Sequence, residues 1–121
     1  MKKILIVDDE PNIVMSLEYT FKKNNFEVYI ARDGQEALDI LKTECPDLII
    51  LDVMMPLVDG FATLEQIKQD ERLRECKVIF LSAKNKESDI EKGLSLGADL
   101  YMTKPFSVKK LVEQVNGLLS S

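Results

Sequence analysis

The stretch Asp47-Leu48-Ile49-Ile50-Leu51-Asp52 decides the fold of this chain. Four consecutive apolar residues between two aspartates are typical of a strand that is buried on both faces, as in the middle of a parallel sheet. Such a strand ends where the chain reaches water, so we expect Asp52 at the carboxyl edge of the sheet. Ligands bind outside that edge in open α/β sheets. Asp52 is therefore the first candidate for a functional residue.

Three further apolar runs also lead into polar or charged residues. These are residues 4–7 before Asp8, Asp9 and Glu10, residues 78–81 before Ser82, and residues 100–102 shortly before Lys104. The carboxyl ends of parallel strands meet at one edge of a sheet. We therefore expect three carboxylates, one hydroxyl and one ammonium group to converge there.

Helical patterns alternate with these strands. Pro11 suits the first turn of a helix, and Ile13, Leu17 and Phe21 repeat at the spacing of one helical face. After an alternating edge strand over 26–30, further helices are predicted over 35–43, 61–70, 88–97 and 107–119. Five strands that alternate with five helices predict one α/β domain over residues 1–121, with a parallel sheet covered on both faces.

Turn residues support these boundaries. Gly97 is expected to be a left-handed cap at the end of the fourth helix. Asp59 and Gly60 predict a turn in which Gly60 is left-handed. Ser107 can cap the last helix.

Composition limits the classes of function. The chain has 121 residues and a formal net charge of −5, which argues against direct binding of nucleic acid. No apolar run reaches the roughly 18 residues of a membrane span, and the amino terminus does not resemble a signal peptide. We therefore expect a cytoplasmic location without membrane contact, and reduced, inert thiols at Cys45 and Cys76. Because the chain has no histidine, a zinc site is not expected, whereas carboxylates suit a hard cation.

The order and spacing of these residues resemble the receiver domain of two-component response regulators, the family of the chemotaxis response regulator. The likeness covers the whole chain. It rests on Asp8-Asp9, Asp52, Met55-Pro56 with Asp59-Gly60, Ser82-Ala83, Gly97-Ala98-Asp99 and Lys104-Pro105-Phe106. The resemblance implies a flavodoxin-like, doubly wound, five-stranded parallel sheet of order 2-1-3-4-5 with five helices, in which strands one and three lie side by side.

The resemblance also implies a function. Asp52 would accept a phosphoryl group from a histidine kinase or a histidine phosphotransfer protein. Mg²⁺, or Mn²⁺, would be held by Asp8, Asp9, Asp52 and the backbone carbonyl of Met54, with Asp8 acting mainly through a metal-bound water. Lys104 would pair with a carboxylate at rest and with a phosphoryl oxygen afterwards. No other cofactor is expected.

The response to phosphorylation is expected to be a two-state switch. By resemblance, Ser82 would move toward the phosphoryl group and Tyr101 would rotate inward. This would reshape the surface of helix 4, strand 5 and helix 5, which a downstream output domain or protein reads. The family also implies a cis peptide bond between Lys104 and Pro105. The charge pairs of the winged-helix transcription-factor subfamily are missing, because Leu100, Lys110 and Gln114 occupy those positions.

Several residues keep a second interpretation. Glu10 is either a helix cap or a group behind the metal ligands, and Tyr101 could be an ordinary half-buried aromatic. Lys84 is either a solvated loop lysine or, with Met54, flanks the phosphoryl group and tunes the access of water.

Other functions fit the residues less well. The main alternative is a pseudo-receiver, a protein-binding module that is never phosphorylated, and the set Asp9, Asp52, Ser82 and Lys104 argues against it. A phosphohydrolase with an aspartyl nucleophile would need a second acid at Met54. A nucleotide-binding enzyme would need a glycine-rich first turn. The domain is therefore expected to assist its own phosphorylation and dephosphorylation without being an enzyme.

Overall fold

The computed structural model describes residues 1–120, which form five β-strands and five α-helices in strict alternation. The elements are β1 (Lys3–Val7), α1 (Pro11–Lys23), β2 (Glu27–Ala31), α2 (Gly34–Leu41), β3 (Leu48–Leu51), α3 (Gly60–Gln69), β4 (Lys77–Ser82), α4 (Glu87–Ser95), β5 (Leu100–Thr103) and α5 (Val108–Leu119). Every predicted element is present, and the differences are shifts of one or two residues at the ends. None of the helices within residues 1–120 is long and apolar enough to cross a bilayer.

The sheet is parallel throughout, and its strand order is β2-β1-β3-β4-β5. This confirms the predicted order. In the register of the central pair, Val7 lies opposite Leu51. The Asp52 amide donates to the Val7 carbonyl at 3.0 Å. Asp8 and Asp52 therefore leave the sheet at the same height on neighbouring strands.

The core consists of two layers, one on each face of the sheet. Alternate residues of one strand belong to different layers: Leu5 lies in the layer under α2 and α3, and Ile6 lies in the layer under α1 and α5. Leu48 to Leu51 are all buried, because both faces of β3 are covered. This explains why the central strand is a continuous apolar run without alternation.

Local chemistry sets the helix ends. Ser107 caps α5 by accepting a hydrogen bond from the Lys110 amide, and Gly97 has a φ of 111° after α4, as predicted. The prediction that Gly60 is left-handed is wrong, since Gly97 is the one glycine with positive φ among residues 1–120. Gly60 begins α3, and a Cβ there would overlap the carbonyl oxygen of Asp52. Close backbone approach, and not the φ angle, requires glycine at this position.

Candidate functional site

Four polar residues converge at the carboxyl edge of the sheet because each lies at the end of a parallel strand. Asp8 follows β1, Asp52 follows β3, Ser82 ends β4 and Lys104 follows β5. Asp8, Asp52 and Ser82 are nearly inaccessible to solvent, with 2%, 3% and 0% exposure. Two carboxylates thus lie in the folded interior beside the topological switch point, where ligand sites occur in this type of sheet.

Lys104 extends its ammonium group into this acidic cluster. Its Nζ lies 2.9 Å from Asp8 Oδ2, 3.1 Å from Glu10 Oε1 and 3.4 Å from Asp52 Oδ2. The Lys104 amide donates to the Ser82 carbonyl at 2.9 Å, and the bond from Lys104 to Pro105 is cis, as predicted. One ammonium group therefore balances three carboxylates, which leaves an excess of negative charge at a buried position.

Burial and charge shift the titration of this cluster. The pKa of Asp52 is raised, and burial is the largest cause. The charge of Lys104 opposes this rise, and the charge of Asp8 adds to it. For Lys104, burial alone lowers the pKa. The hydrogen bond to Asp8 and the charge of Asp52 outweigh it, so the pKa of Lys104 is raised overall. The anionic form of Asp52 is thus less favoured than that of an exposed aspartate, and Lys104 is kept protonated.

The oxygen atoms of three acids lie close enough to share a cation. One carboxylate oxygen each from Asp8, Glu10 and Asp52 lies within 4.8 Å of the others. All three are hard donors, of the kind that Mg²⁺ and Ca²⁺ prefer. This fits the expectation of a hard-cation site for Asp8 and Asp52.

The other two predicted metal ligands, Asp9 and Met54, are not members of this group of three acids. Asp9 is exposed and lies outside the group of three acids, on a neighbouring cavity of about 530 Å³ that Met54 and Lys84 also line. The Met54 amide donates to Asp52 Oδ1 at 3.3 Å, so the backbone of Met54 lies beside the acidic cluster.

Glu10 is the residue that sequence reasoning placed least well. Its backbone is the N-cap of α1, but its side chain makes no capping hydrogen bond. It reaches Lys104 instead, while its amide donates to Asp8 Oδ1 at 2.9 Å. That turn brings Glu10 over the cluster and directs Asp9 elsewhere. The only signal in the sequence was that three acids follow β1 in a row.

A chain of hydrogen bonds joins Ser82 to Tyr101 through the loop after β4. The Lys84 amide donates to Ser82 Oγ at 3.2 Å, and the Tyr101 hydroxyl donates to the Lys84 carbonyl at 2.7 Å. The ring of Tyr101 packs against Phe80, with centroids 5.6 Å apart. The half-buried Tyr101 is therefore coupled to the backbone that positions Ser82.

Comparisons with known proteins show what this chain is similar to. The model of the response regulator receiver domain family matches residues 4–116. The alkaline phosphatase synthesis transcriptional regulatory protein PhoP of Bacillus subtilis (strain 168) is 46% identical over 118 residues, which are 98% of this chain and 48% of that protein. The chain thus spans about half the length of this curated relative.

Solved structures give the same result. The receiver domain of the Francisella response regulator 1452 superimposes with a TM-score of 0.90 at 36% identity, over 98% of this chain and 96% of that one. The Vibrio cholerae chemotaxis protein CheY4 superimposes with a TM-score of 0.92 at 28% identity, over 98% and 99% of the two chains.

Proposed function

The chain belongs to the response regulator receiver domain family, and from that premise we propose that it is a phosphorylation-activated switch of a two-component phosphorelay. Residues 1–121 act as one receiver domain, and Asp52 accepts a phosphoryl group from a histidine kinase or a histidine phosphotransfer protein. A bond forms between an Asp52 oxygen and phosphorus, and the phosphorus–nitrogen bond of the donor breaks. The donor imidazole leaves with a proton.

One observation carries this proposal: the Lys104 ammonium lies 3.4 Å from Asp52 inside a cluster of three acids. A carboxylate and a phosphoryl donor repel each other because both are anions. Lys104 already faces the position where new negative charge would arrive, and its raised pKa keeps it charged. It can therefore pair with a phosphoryl oxygen without first having to gain a proton.

The donor set also fits a divalent cation. Asp8, Asp9, Asp52 and the Met54 carbonyl would hold Mg²⁺ or Mn²⁺, with Glu10 close by. When bound, such a cation neutralises charge between acceptor and donor oxygens. The chain's own residues orient the acceptor: the Met54 amide holds one Asp52 oxygen and Lys104 faces the other.

The switch connects Asp52 to a surface through Ser82 and Tyr101. A phosphoryl group on Asp52 offers the Ser82 hydroxyl a stronger acceptor than the groups around it now. When Ser82 moves, the Lys84 amide loses its partner and the carbonyl that binds Tyr101 shifts with it. The face formed by α4, β5 and α5 then changes, and a downstream output domain or protein reads that face.

The test is phosphorylation of the intact chain by a small acyl phosphate with Mg²⁺, followed by intact-mass analysis. We expect one added phosphoryl group, which is absent with a chelator and in Asp52→Asn. Asp39→Asn, a matched change at an exposed aspartate of α2, should keep the mass gain. If neither acyl phosphate nor a histidine kinase adds mass to the wild type, the pseudo-receiver interpretation replaces this proposal.

A further inference from the structure

Two thiols lie together at the amino edge of the sheet, at the opposite end of the strands from the acidic cluster. Cys45 belongs to the segment between α2 and β3, and Cys76 belongs to the segment between α3 and β4. Both thiols are free, Cys45 exposed and Cys76 buried, and both line a surface cavity of about 240 Å³. Because β3 and β4 are neighbours in the sheet, the segments that precede them run side by side.

Each thiol donates a hydrogen bond to the segment that carries the other thiol. Cys76 Sγ donates to the Pro46 carbonyl at 2.9 Å, and Cys45 Sγ donates to the Arg72 carbonyl at 3.3 Å. Pro46 directly follows Cys45, so the sulfur of Cys76 lies against the backbone next to its counterpart. Each thiol thus lies against the segment that carries the other, and Cys45 is a neighbour that acts on Cys76.

Arg72 holds the two segments in this arrangement. Its guanidinium donates to the Glu44 carbonyl at 3.3 Å and also to the carbonyl of Leu41. The partners are at the end of α2 and just before Cys45. These hydrogen bonds restrict the movement of the segment that carries Cys45. Arg72 therefore helps to hold the two thiols near each other.

The two thiols differ in reactivity. Burial, followed by the neighbouring Cys45 sulfur, raises the pKa of Cys76 to about 12. Lys68 and Asp47 are the charged groups that act on this thiol, with opposite signs. Cys45 is reached by solvent while Cys76 is not, so an external reagent meets Cys45 first.

We propose that Cys45 and Cys76 form a modification site that closes an intramolecular disulfide by exchange with a low-molecular-weight disulfide. The Cys45 thiolate attacks one sulfur of the reagent and releases the other half as a thiolate. Cys76 then loses its proton and attacks Cys45 Sγ, which releases the second half. Two protein thiols are oxidised by two electrons, and the reagent is reduced to two thiols.

The bond would connect two crossover segments that are about 30 residues apart in sequence. Closing a loop of this size restricts the unfolded chain, so the oxidised protein should melt roughly 5–10 °C higher than the reduced one. Phosphorylation of Asp52 should stay unchanged, because the disulfide forms at the other edge of the sheet.

The experiment equilibrates the full chain with oxidised and reduced glutathione at several ratios, traps free thiols with an alkylating agent in denaturant, and maps the peptides. We expect a Cys45–Cys76 cross-linked peptide and an intact mass lower by two hydrogen atoms, at ratios where the glutathione adduct of Cys45 is a minor species. The proposal is overturned if Cys45 accumulates as a glutathione adduct, or as a dimer between chains, while Cys76 stays reduced.

Thermal unfolding supplies an independent readout. Cys45→Ser changes an exposed residue and should fold normally, but it removes the first attacking thiol. The wild type should show the rise in melting temperature on oxidation, and Cys45→Ser should show none. An equal rise in both proteins would mean that the reagent acts elsewhere, and this would also overturn the proposal.

Discussion

The two edges of the sheet both place a lysine among acidic residues, but they do so in opposite ways. At the carboxyl edge, the Lys104 side chain is 10% exposed and faces three carboxylates. At the amino edge, the Lys3 side chain is 38% exposed and pairs with Glu44 alone at 3.2 Å. Tyr29 donates to the same Glu44 oxygen at 3.1 Å.

The difference shows in the direction of the pKa shifts. At the amino edge, the hydrogen bond from Lys3 lowers the pKa of Glu44, so the carboxylate is favoured as an anion. At the carboxyl edge, burial raises the pKa of Asp52 in spite of Lys104. The amino edge is arranged for stability. The carboxyl edge keeps an anionic cluster that opposes folding, as expected where a site must bind positive charge and a phosphoryl group.

The largest expected effect comes from Lys104→Met, which keeps most of the unbranched side chain and removes its charge. Asp8, Asp52 and Glu10 would then have no cation, and breaking a buried ion pair from one side costs about 3 kcal/mol. We expect the free energy of unfolding at pH 7 to fall by that amount in urea titrations. Lys3→Met is the matched control and should shift the midpoint much less, since its pair is exposed. Equal losses in the two variants would remove the contrast between the edges.

The second effect concerns the backbone that supports Asp52. Gly60→Ala would place a methyl group against the Asp52 carbonyl and close to Val53 Cα, and such overpacking costs about 2 kcal/mol. Gly117→Ala is the control, because a Cβ there meets nothing within 4 Å. On an exposed helix it should stabilise by roughly 0.5–1 kcal/mol. Chemical denaturation distinguishes the two, and a neutral Gly60→Ala would show that the loop after β3 is free to relax.

The third prediction is a gain of stability. Because the pKa of Asp52 is raised on folding, the native state binds more protons than the unfolded chain just above the ordinary value of about 3.9. Stability therefore falls as pH rises through that window, and the penalty is complete at neutral pH. Asp52→Asn should therefore be more stable than the wild type at pH 7. The two proteins should converge below pH 4; a less stable variant at pH 7 would contradict the argument.

Much of this architecture was predictable because the relevant signals are local. The buried runs of β1, β3 and β4 and the polar residues that follow them follow directly from the sequence, and parallel strands bring those residues to one edge. The positions of Asp9 and Glu10 were not predictable in the same way. Their direction depends on a turn in which the Glu10 amide bonds Asp8, and three acids in a row do not reveal which one turns inward.

The thiol pair shows a different limit. Cys45 and Cys76 are far apart in sequence, and the sequence predicts only that both are reduced, inert thiols. Their proximity can be inferred only once the strand order is known, because β3 and β4 are neighbours and each thiol lies in the segment before one of these strands. The role of Gly60 was missed for a related reason, because its contact with the Asp52 backbone is a tertiary contact that a turn motif does not contain.

The smallest effect is expected at the amino edge, and it has the opposite pH dependence from Asp52. A carboxylate with a lowered pKa stabilises the fold above its ordinary value and loses that contribution as pH falls through the folded pKa. Glu44→Gln should therefore lower the melting temperature at pH 7 by less than about 2 °C, because the pair is exposed. The loss of stability in Glu44→Gln should become smaller in acid and in high salt. The gain of stability in Asp52→Asn should also become smaller in acid, so the two variants approach the wild type from opposite sides. Melting curves of both variants between pH 3 and pH 7 (roughly the carboxylate range) test this. If both variants shift stability in the same direction, Asp52 is stabilised by its partners as an ordinary ion pair. The carboxyl edge would then carry no destabilising excess of negative charge.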